Sequence, residues 1–354
     1  MSIFVIGYYA ALIAASCLAA YLERRSVFLL LFSLTLLSFV LGIIGGVPAL
    51  RALTICAGLL ALAAGTSYAF REFLIQITKP GLAKELRTAP LTAAFGMFVI
   101  FVYAIAGIFA PWIAPHGESE VISSAFAPAD ENMLLGADQL GRDIFSRIIY
   151  GARNSVGIAL VATTLAFVIG ALAGLLAAVK GGWFDNFMGR SADVIMSVPS
   201  LIFALLMLSI FGTKIWVIIV VVAVIYSPRV FRLTRAVAGN IVVMDYIEAA
   251  RLRGEGDWHL IRKEILPNST APLIAEFGLE FCFVFLLIAG LSFLGLGIQP
   301  PTADWGSMVR ENATLISFGD ITPLIPAAAI ALLTVSVNFV VDWMLFRSSG
   351  LKEV

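Results

Sequence analysis

The chain has 354 residues, of which 60% are hydrophobic and only 13% are charged, and its mean hydropathy is +0.99. Lysine and arginine together number 23, as do aspartate and glutamate, so no net charge points to a nucleic-acid partner. Apolar blocks of roughly 20 residues, the length that crosses a bilayer, recur along the chain. These features exclude a soluble globular protein and indicate a multi-pass membrane protein.

Nine apolar blocks are predicted to be transmembrane helices, because lipid cannot satisfy an open backbone. The expected architecture is therefore all-α. The first block has no small-residue cleavage site before its charged flank, so we expect it to remain on the mature protein. The predicted spans cover residues 3–22, 27–47, 52–70, 91–112, 155–179, 194–212, 215–235, 271–297 and 321–346.

The distribution of basic residues predicts the orientation in the membrane. An odd number of spans puts the two ends of the chain on opposite sides. With the N-terminus outside, 17 of the 23 Lys and Arg residues fall in inner segments or at inner span ends, and six fall outside. Because cytoplasmic loops carry the excess of Lys and Arg, this orientation is favoured, with the C-terminus in the cytoplasm.

One long outer segment, residues 114–154, contains six acids and three arginines and is long for a connector. After Gly141, apolar residues spaced four apart predict an amphipathic helix, which we expect to lie on the membrane surface. Arg142 and Arg147 would anchor it by reaching toward water. A docking surface for an extracytoplasmic partner is a compatible alternative.

Residues 245–268, DYIEAARLRGEGDWHLIRKEILPN, carry nine formal charges between two apolar blocks. Each charged residue at the centre of a span costs roughly 2.5–3.5 kcal/mol. The segment therefore stays out of the bilayer. In the favoured orientation it is a cytoplasmic loop.

The spacing within this loop predicts two short amphipathic helices around a tight corner. Gly254 permits the corner, Asp257 is expected to cap the second helix, and Pro267 is expected to end it before the next span. Such helices need a surface to lie against, whether the protein's own span ends, lipid headgroups or another protein. The predicted apolar faces consist of Tyr246, Ile247 and Ala250 in the first helix and Trp258, Ile261 and Ile265 in the second.

Two acids fall within a predicted span. Glu276 and Glu280 stand four residues apart, on one face of the helix. Intramembrane acids usually face a cavity or a partner. Glu276 is near enough to the inner end to reach the interface, whereas Glu280 is deeper and suits either a polar pathway or a pair between helices.

Enzyme chemistry is not indicated by any motif. No G-x-x-x-x-G-K-[ST] occurs, so we expect no ATP site of that kind in this chain. His116 and His259 stand alone in loops, which predicts neither a metal site nor a hydrolytic triad. The chain itself is expected to bind no cofactor.

The charged loop resembles the EAA loop of ABC-importer permeases, which docks on an ATP-hydrolysing subunit. Glu248-Ala249-Ala250, Gly254 and Leu266-Pro267 carry the resemblance, although Glu264 stands where the family pattern has Ile. LLGADQLGRDIFSRIIYGARNS (134–155), GGWFDNFMGRSADVIMSVPSLIFAL (181–205) and LSFLGLGIQPPTADWGSM (291–308) are similar to the second permease subunit of dipeptide and oligopeptide importers. The resemblance covers about residues 88–345.

This resemblance implies a type I ABC-importer permease core with an N-terminal three-helix extension. Its implied partners are a sister permease, two ATPase subunits or domains that bind ATP and Mg²⁺, an extracytoplasmic substrate-binding protein and membrane lipid, with no nucleic acid. Arg142, Asp143 and Arg147 would dock the binding protein, and Glu276 and Glu280 would line the pathway. The residues implied in ATPase coupling are Glu248, Ala249, Ala250, Gly254, Asp257, Leu266 and Pro267.

The implied cargo is di- or oligopeptides, imported across the inner membrane of a prokaryote. Alternatives are nickel, opines or another small solute on the same scaffold, or, in a different class, an ion-coupled secondary transporter, which would predict inverted repeats and broken helices.

The expected domains are an extension with its cytoplasmic linker (1–87), the first family span and outer loop (88–153), a five-span core with coupling loop 245–267 (154–346), and a cytoplasmic tail (347–354).

Overall fold

The computed structural model describes residues 48–348, with side chains for residues 58–347. The predicted spans 3–22 and 27–47 and the tail after residue 348 lie outside the described residues. The chain divides into two compact units, Met1–Ala69 and Phe70–Val354. Helix α1, Pro48–Ile77, contains the predicted span 52–70.

Regular structure in the second unit is helical, apart from isolated bridges in the outer loop. Two π-helical turns, Ala152–Val156 and Leu260–Ile265, join α5 to α6 and α11 to α12, and a 3-10 turn, Ala313–Phe318, follows α13. The helices are α2 (Pro80–Arg87), α3 (Leu91–Ile108), α4 (Ala110–Ile113), α5 (Ile144–Gly151), α6 (Gly157–Lys180), α7 (Gly182–Met196), α8 (Ser200–Phe211), α9 (Ile215–Val242), α10 (Asp245–Leu252), α11 (Asp257–His259), α12 (Leu266–Phe293), α13 (Trp305–Asn312) and α14 (Leu324–Ser348).

Five helical runs in the described part of the chain are long and apolar enough to cross a bilayer: α3, α5–α6, α9, α11–α12 and α14. Helices α7 and α8 meet at 84° and together could form a sixth. These elements correspond to the six spans predicted between residues 91 and 346. The span predicted at 194–212 is broken, because Pro199 separates the two helices and cannot donate a helical hydrogen bond.

Helices α6 and α9 approach each other closely because the buried face of α6 is made of small side chains. A Cβ on Gly174 would lie 2.8 Å from the Phe231 carbonyl oxygen, and one on Gly170 would lie 2.7 Å from the Val230 Cβ. Small residues are the usual means of bringing membrane helices together, since lipid offers no hydrophobic drive for association. The small buried residues of α6 are Ala159, Ala162, Thr163, Ala166, Gly170, Ala171, Gly174 and Ala177.

Helix α9 passes through Pro228 without ending. Proline lacks the N–H that would bond the carbonyl of Val224. The hydroxyl of Ser227 donates to that carbonyl at 3.3 Å, so the freed acceptor is satisfied inside the membrane. The helix therefore continues past the proline and carries three arginines, at 229, 232 and 235, toward its inner end.

We predict that Gly170→Ala destabilises the protein, whereas Gly157→Ala on the same helix does not. An added Cβ at Gly170 overlaps the Ser227 carbonyl and the Val230 side chain, while at Gly157 it meets nothing within 4 Å. Overpacking of this kind costs about 1–3 kcal/mol. The check is the apparent melting temperature in detergent, and equal values for the two variants would contradict the close packing.

Candidate coupling loop, outer network and membrane-depth charges

The loop predicted at residues 245–267 is a helical corner. Helix α10 ends in a left-handed turn at Gly254, with φ of +85°. The Gly254 N–H donates to the Arg251 carbonyl at 2.9 Å, and the Glu255 N–H donates to the Ala250 carbonyl at 3.2 Å. This pair of bonds is a Schellman motif, which favours glycine at the left-handed position. The prediction that Gly254 makes the corner is confirmed.

One side of the corner is buried against the C-terminal ends of α6 and α9. The Arg251 guanidinium also donates to the Val179 carbonyl at the end of α6, at 3.4 Å. The loop therefore shares a hydrophobic core with two membrane helices, and we call this core the seat. Its fully buried members are Leu175, Val179, Ala238 and Ile241 from the spans and Ile247, Ala250, Leu260, Ile261 and Ile265 from the loop.

The apolar faces predicted for the loop are correct in part. Ile247, Ala250, Ile261 and Ile265 are buried as expected. Tyr246 is 38% exposed and Trp258 is 61% exposed, so their assignment to the buried faces is wrong. The seat is lined by small and branched aliphatic side chains and is closed without the two large rings.

An open groove of about 420 Å³ runs along α10 and the end of α9, and both apolar and charged side chains line it. Val243 and Leu252 are 80% and 84% exposed, which is unusual for aliphatic side chains outside a lipid-facing surface. Glu248 and Arg251 supply charges of both signs at the same place. The residues that line the groove are Val242, Val243, Met244, Glu248, Arg251 and Leu252.

Two expectations about the second loop helix are wrong. Gly256, not Asp257, occupies the N-cap position, and no side chain caps this end. Asp257 is the first helical residue, where its negative charge interacts favourably with the positive end of the helix dipole. Pro267 does not end the helix, because Asp257–Phe293 forms one continuous helical run. The proline lies at the start of α12, directly after the π-helical turn Leu260–Ile265.

The implied coupling residues differ in their accessibility. Ala250 is completely buried in the seat, so it is a packing residue within this chain. A small side chain at this position lets α10 lie directly on the ends of α6 and α9. The remaining implied residues are on the surface: Glu248, Ala249, Gly254, Asp257, Leu266 and Pro267.

On the other side of the membrane, Arg142 and Arg147 are buried. The Arg142 guanidinium pairs with Asp138 at 2.7 Å and with Glu311 at 3.0 Å. Arg147 lies 3.4 Å from Asp138 and 3.5 Å from Glu311 and donates to the Glu118 carbonyl at 2.9 Å. Two cations and two acids thus compensate each other in one buried network. The network ties the outer loop and α5 to α13.

The predicted roles of Arg142, Asp143 and Arg147 as an exposed docking surface are therefore wrong. Burial within this chain leaves these side chains no surface for a partner. Asp143 instead caps α5, accepting from the N–H groups of Phe145 and Ser146. Helix α5 does not lie on the membrane surface either, since it continues through the π turn into α6. The two arginines predicted to anchor a surface helix instead bind Asp138 and Glu311.

A buried carboxylate that sequence reasoning missed holds α13 in place. Asp304 accepts from the Ser155 hydroxyl at 2.8 Å and from the Ser307 N–H at 2.9 Å. Burial raises the pKa of Asp304, although these hydrogen bonds act in the opposite direction. Beside it, the Trp305 indole N–H donates to the Ile148 carbonyl at 2.9 Å. The Asp-Trp pair in ADWGSM could have predicted this role for Asp304, because an Asp directly before a helix often caps the N-terminus of that helix.

The acids predicted within a span are both in α12 and lie near an arginine that the prediction did not single out. Glu280 is only 3% exposed, and Glu276 is half-buried. The Glu280 Oε2 accepts no hydrogen bond from the described residues. The Arg229 guanidinium of α9 lies 5.2 Å from the ring centres of Tyr226 and Phe283, and Phe283 is one turn from Glu280 in α12.

We predict that Arg147→Met strongly destabilises the outer network, because it leaves two buried acids, Asp138 and Glu311, with one cation, Arg142. Breaking one side of a buried pair costs about 3–5 kcal/mol. Arg153→Met is the matched control, since Arg153 is exposed on the same helical run. Thermal denaturation in detergent provides the measurement.

Adding Glu311→Gln to Arg147→Met should recover part of the lost stability, since it removes one uncompensated charge. A network that contributes nothing would show no difference between Arg147→Met and Arg153→Met, and no recovery in the double variant.

Sequence comparisons place these features in a family. The family model for the binding-protein-dependent transport system inner membrane component matches residues 170–348. The chain is 33% identical to the probable D,D-dipeptide transport system permease protein DdpC of Escherichia coli (strain K12), over 73% of this chain and 86% of that protein.

Two other relatives are similar over comparable lengths. The Di/tripeptide transport system permease protein DppC of Pseudomonas aeruginosa (strain UCBPP-PA14) is 34% identical over 70% of this chain and 84% of that protein. The glutathione transport system permease protein GsiD of Pectobacterium atrosepticum is 33% identical over 71% and 84%.

Among solved structures, an inward-facing form of the MetNI methionine ABC transporter matches with a TM-score of 0.48 and 18% identity, covering 57% of this chain and 95% of that one. The family match spans the membrane helices α9, α12 and α14 and the whole of the corner at residues 245–267. The chain belongs to the family of binding-protein-dependent transport system inner membrane components, the membrane-spanning permease subunits of ABC importers.

Proposed function

We propose that this permease carries di- or oligopeptides inward and that residues 245–267 receive the movement of the ATPase. Support for peptide cargo comes from the names of the relatives, which include dipeptide, di/tripeptide and glutathione systems. The observation that carries the coupling proposal is the two-sided corner. One side is buried in the protein's own helix ends, and the exposed surface carries a groove lined by apolar and charged side chains.

The arrangement of the corner suits a rigid lever. Because the seat joins the loop to α6 and α9 through fully buried side chains, the loop cannot move without those helix ends. The second half of the corner is also continuous with α12. A displacement of the loop by ATP-driven closure of the ATPases therefore reaches three membrane helices at once and shifts the balance between outward- and inward-open states.

The partner contact is assigned to the exposed side of the corner. Val243 and Leu252 would enter a cleft on the ATPase, and Glu248 would face a cationic group there. Ala249, Gly254, Asp257, Leu266 and Pro267 remain candidates because they are exposed. Ala250 supports this surface from beneath.

The complete importer would contain a sister permease, two ATPase subunits or domains that bind ATP and Mg²⁺, and a substrate-binding protein. The N-terminus is assigned to the outside and the C-terminus to the cytoplasm. An ion pair between Glu85 of α2 and Arg347 of α14 supports this topology, since both residues are predicted to be cytoplasmic. The Arg347 guanidinium holds the pKa of Glu85 below its ordinary value.

Glu276 and Glu280 are assigned to the translocation pathway. Glu280 is buried, and the Arg229 guanidinium lies beside the ring of Phe283, one turn along α12. This supports the role, because ionisable groups at membrane depth face cavities or partners.

We predict that Leu252→Ser uncouples transport, because it removes the most exposed aliphatic group of the groove. Leu82→Ser, at an exposed leucine of α2, is the matched control. In the reconstituted importer, Leu252→Ser should reduce peptide uptake at least about tenfold, the effect of a single central interface side chain. Gly254→Val should act similarly, since a β-branched residue at positive φ distorts the corner.

The measurement is peptide uptake together with recovery of the ATPase on affinity-purified permease. Normal uptake by both Leu252→Ser and Gly254→Val would refute the lever. Equal losses in Leu252→Ser and Leu82→Ser would show that the effect is not specific to the groove.

We predict that uptake requires ATP and is stimulated by peptides presented on the binding protein. The test screens a set of labelled di- and tripeptides, with nickel and an opine as competing cargo classes, against the purified assembly. ATPase stimulation and uptake into vesicles are recorded for each. Uptake that persists without ATP while an ion gradient is maintained would favour a secondary transporter instead.

A further inference from the structure

Arg229 and Glu280 lie at the same depth in the membrane. Arg229 is 14 residues from Ile215 in α9, and Glu280 is 13 residues from Phe293 in α12, at the ends remote from the coupling loop. With a rise of 1.5 Å per residue, each lies about 20 Å below that end. The hydrocarbon core is about 30 Å thick, so both charges stand in its inner half.

A hydrogen bond holds the two helices in register at this level. The Tyr226 hydroxyl donates to the Phe283 carbonyl at 3.1 Å. Tyr226 lies one turn before Arg229 in α9, and Phe283 lies one turn after Glu280 in α12. The two rings lie beside the guanidinium, each with its centre 5.2 Å away. Arg229 is therefore positioned by aromatic rings.

Neither charge is satisfied by the described part of the chain. Arg229 is exposed on its helix and makes no ion pair with any acid described in the structure. The two arginines that follow it in α9 do make pairs, Arg232 with Asp193 and Arg235 with Asp185. Glu280 is buried, and its Oε2 lacks a donor among the described residues. An unmet charge-bearing group at this depth is costly.

The opposite charges of Arg229 and Glu280 indicate which class of ligand would bind them. Arg229 makes no ion pair, and the Glu280 Oε2 has no donor, among the described residues. A molecule that carries both opposite charges would complement the two groups. A lone acid from a neighbouring subunit would satisfy Arg229 but would leave the Glu280 oxygen without a donor. A free peptide has a carboxylate at one end and an ammonium group at the other, and can satisfy both.

We propose that Arg229 and Glu280 form a transient binding site for the charged termini of the cargo within the membrane, Arg229 taking the carboxylate and Glu280 the ammonium group. This inference rests on the proposed function as a peptide importer. Tyr226 and Phe283 keep the guanidinium in place. Glu276, one turn nearer the coupling loop, is the next acceptor for the ammonium group as the cargo moves inward.

The test uses the complete importer in vesicles with a di- or tripeptide that the wild-type assembly takes up. Arg229→Gln and Glu280→Gln should each reduce uptake at least about tenfold, the loss expected for one charge-assisted contact. Arg229→Lys should retain part of the activity because it keeps the charge. The matched control is Arg232→Gln, whose exposed pair contributes little, and it should change uptake less than about twofold.

A second arm uses the C-terminal amide of the same peptide. Arg229→Gln should take up the peptide amide about as well as the wild type does, since the amide has no carboxylate for Arg229 to bind. Glu280→Gln should still take up less of the amide than the wild type. Recovery of the sister permease should be unchanged in every variant, and basal ATPase activity should be unchanged in Arg232→Gln.

Wild-type uptake by Arg229→Gln would overturn this inference and leave the importer assignment intact. Loss of the sister permease on purification of Arg229→Gln would overturn it in favour of a contact between subunits. A uniform loss with free and amidated peptide would also overturn it. Failure of the wild type to take up any peptide would overturn the proposed peptide function, and this inference with it.

Discussion

The close approach of α6 and α9 is the constraint on which the rest of the structure depends. Gly170 and Gly174 bring α6 against the backbone of α9, closer than any larger side chain would allow. Because lipid gives no hydrophobic drive for helix association, this packing supplies the attraction through van der Waals contact. It also sets the inner ends of the two helices side by side, where they form the seat for the loop.

The seat joins a charged loop to the ends of membrane helices. Ile247, Ala250 and Ile265 are buried between the ends of two spans, and the loop continues without a break into α12. Its opposite side keeps Leu252 and Val243 exposed. A partner bound to the exposed side would act on a loop that is already packed against or continuous with three membrane helices. A displacement of the loop would therefore move those helices with little internal rearrangement.

Charged side chains on the outer side of the protein and those at membrane depth differ in whether the chain supplies their partners. On the outer side, Arg142 and Arg147 are compensated by acids within the chain and hold α5 against α13. At membrane depth, Arg229 and Glu280 are left without direct partners among the described residues. The first group is compensated within the outer part of the fold, while the second has no direct partner among the described residues.

The sequence alone determined the helical membrane architecture, the position of the loop and the corner at Gly254, because apolar length, charge density and glycine geometry are local properties. It could not determine which side of a helix is covered. Tyr246 and Trp258 were assigned to buried faces, and Arg142 and Arg147 to a surface. Sequence periodicity shows which residues share a helix face, but it does not show what packs against that face. Only tertiary structure brought Asp138 and Glu311 to those arginines and Arg229 near Glu280, because such pairs join residues that are distant in the chain.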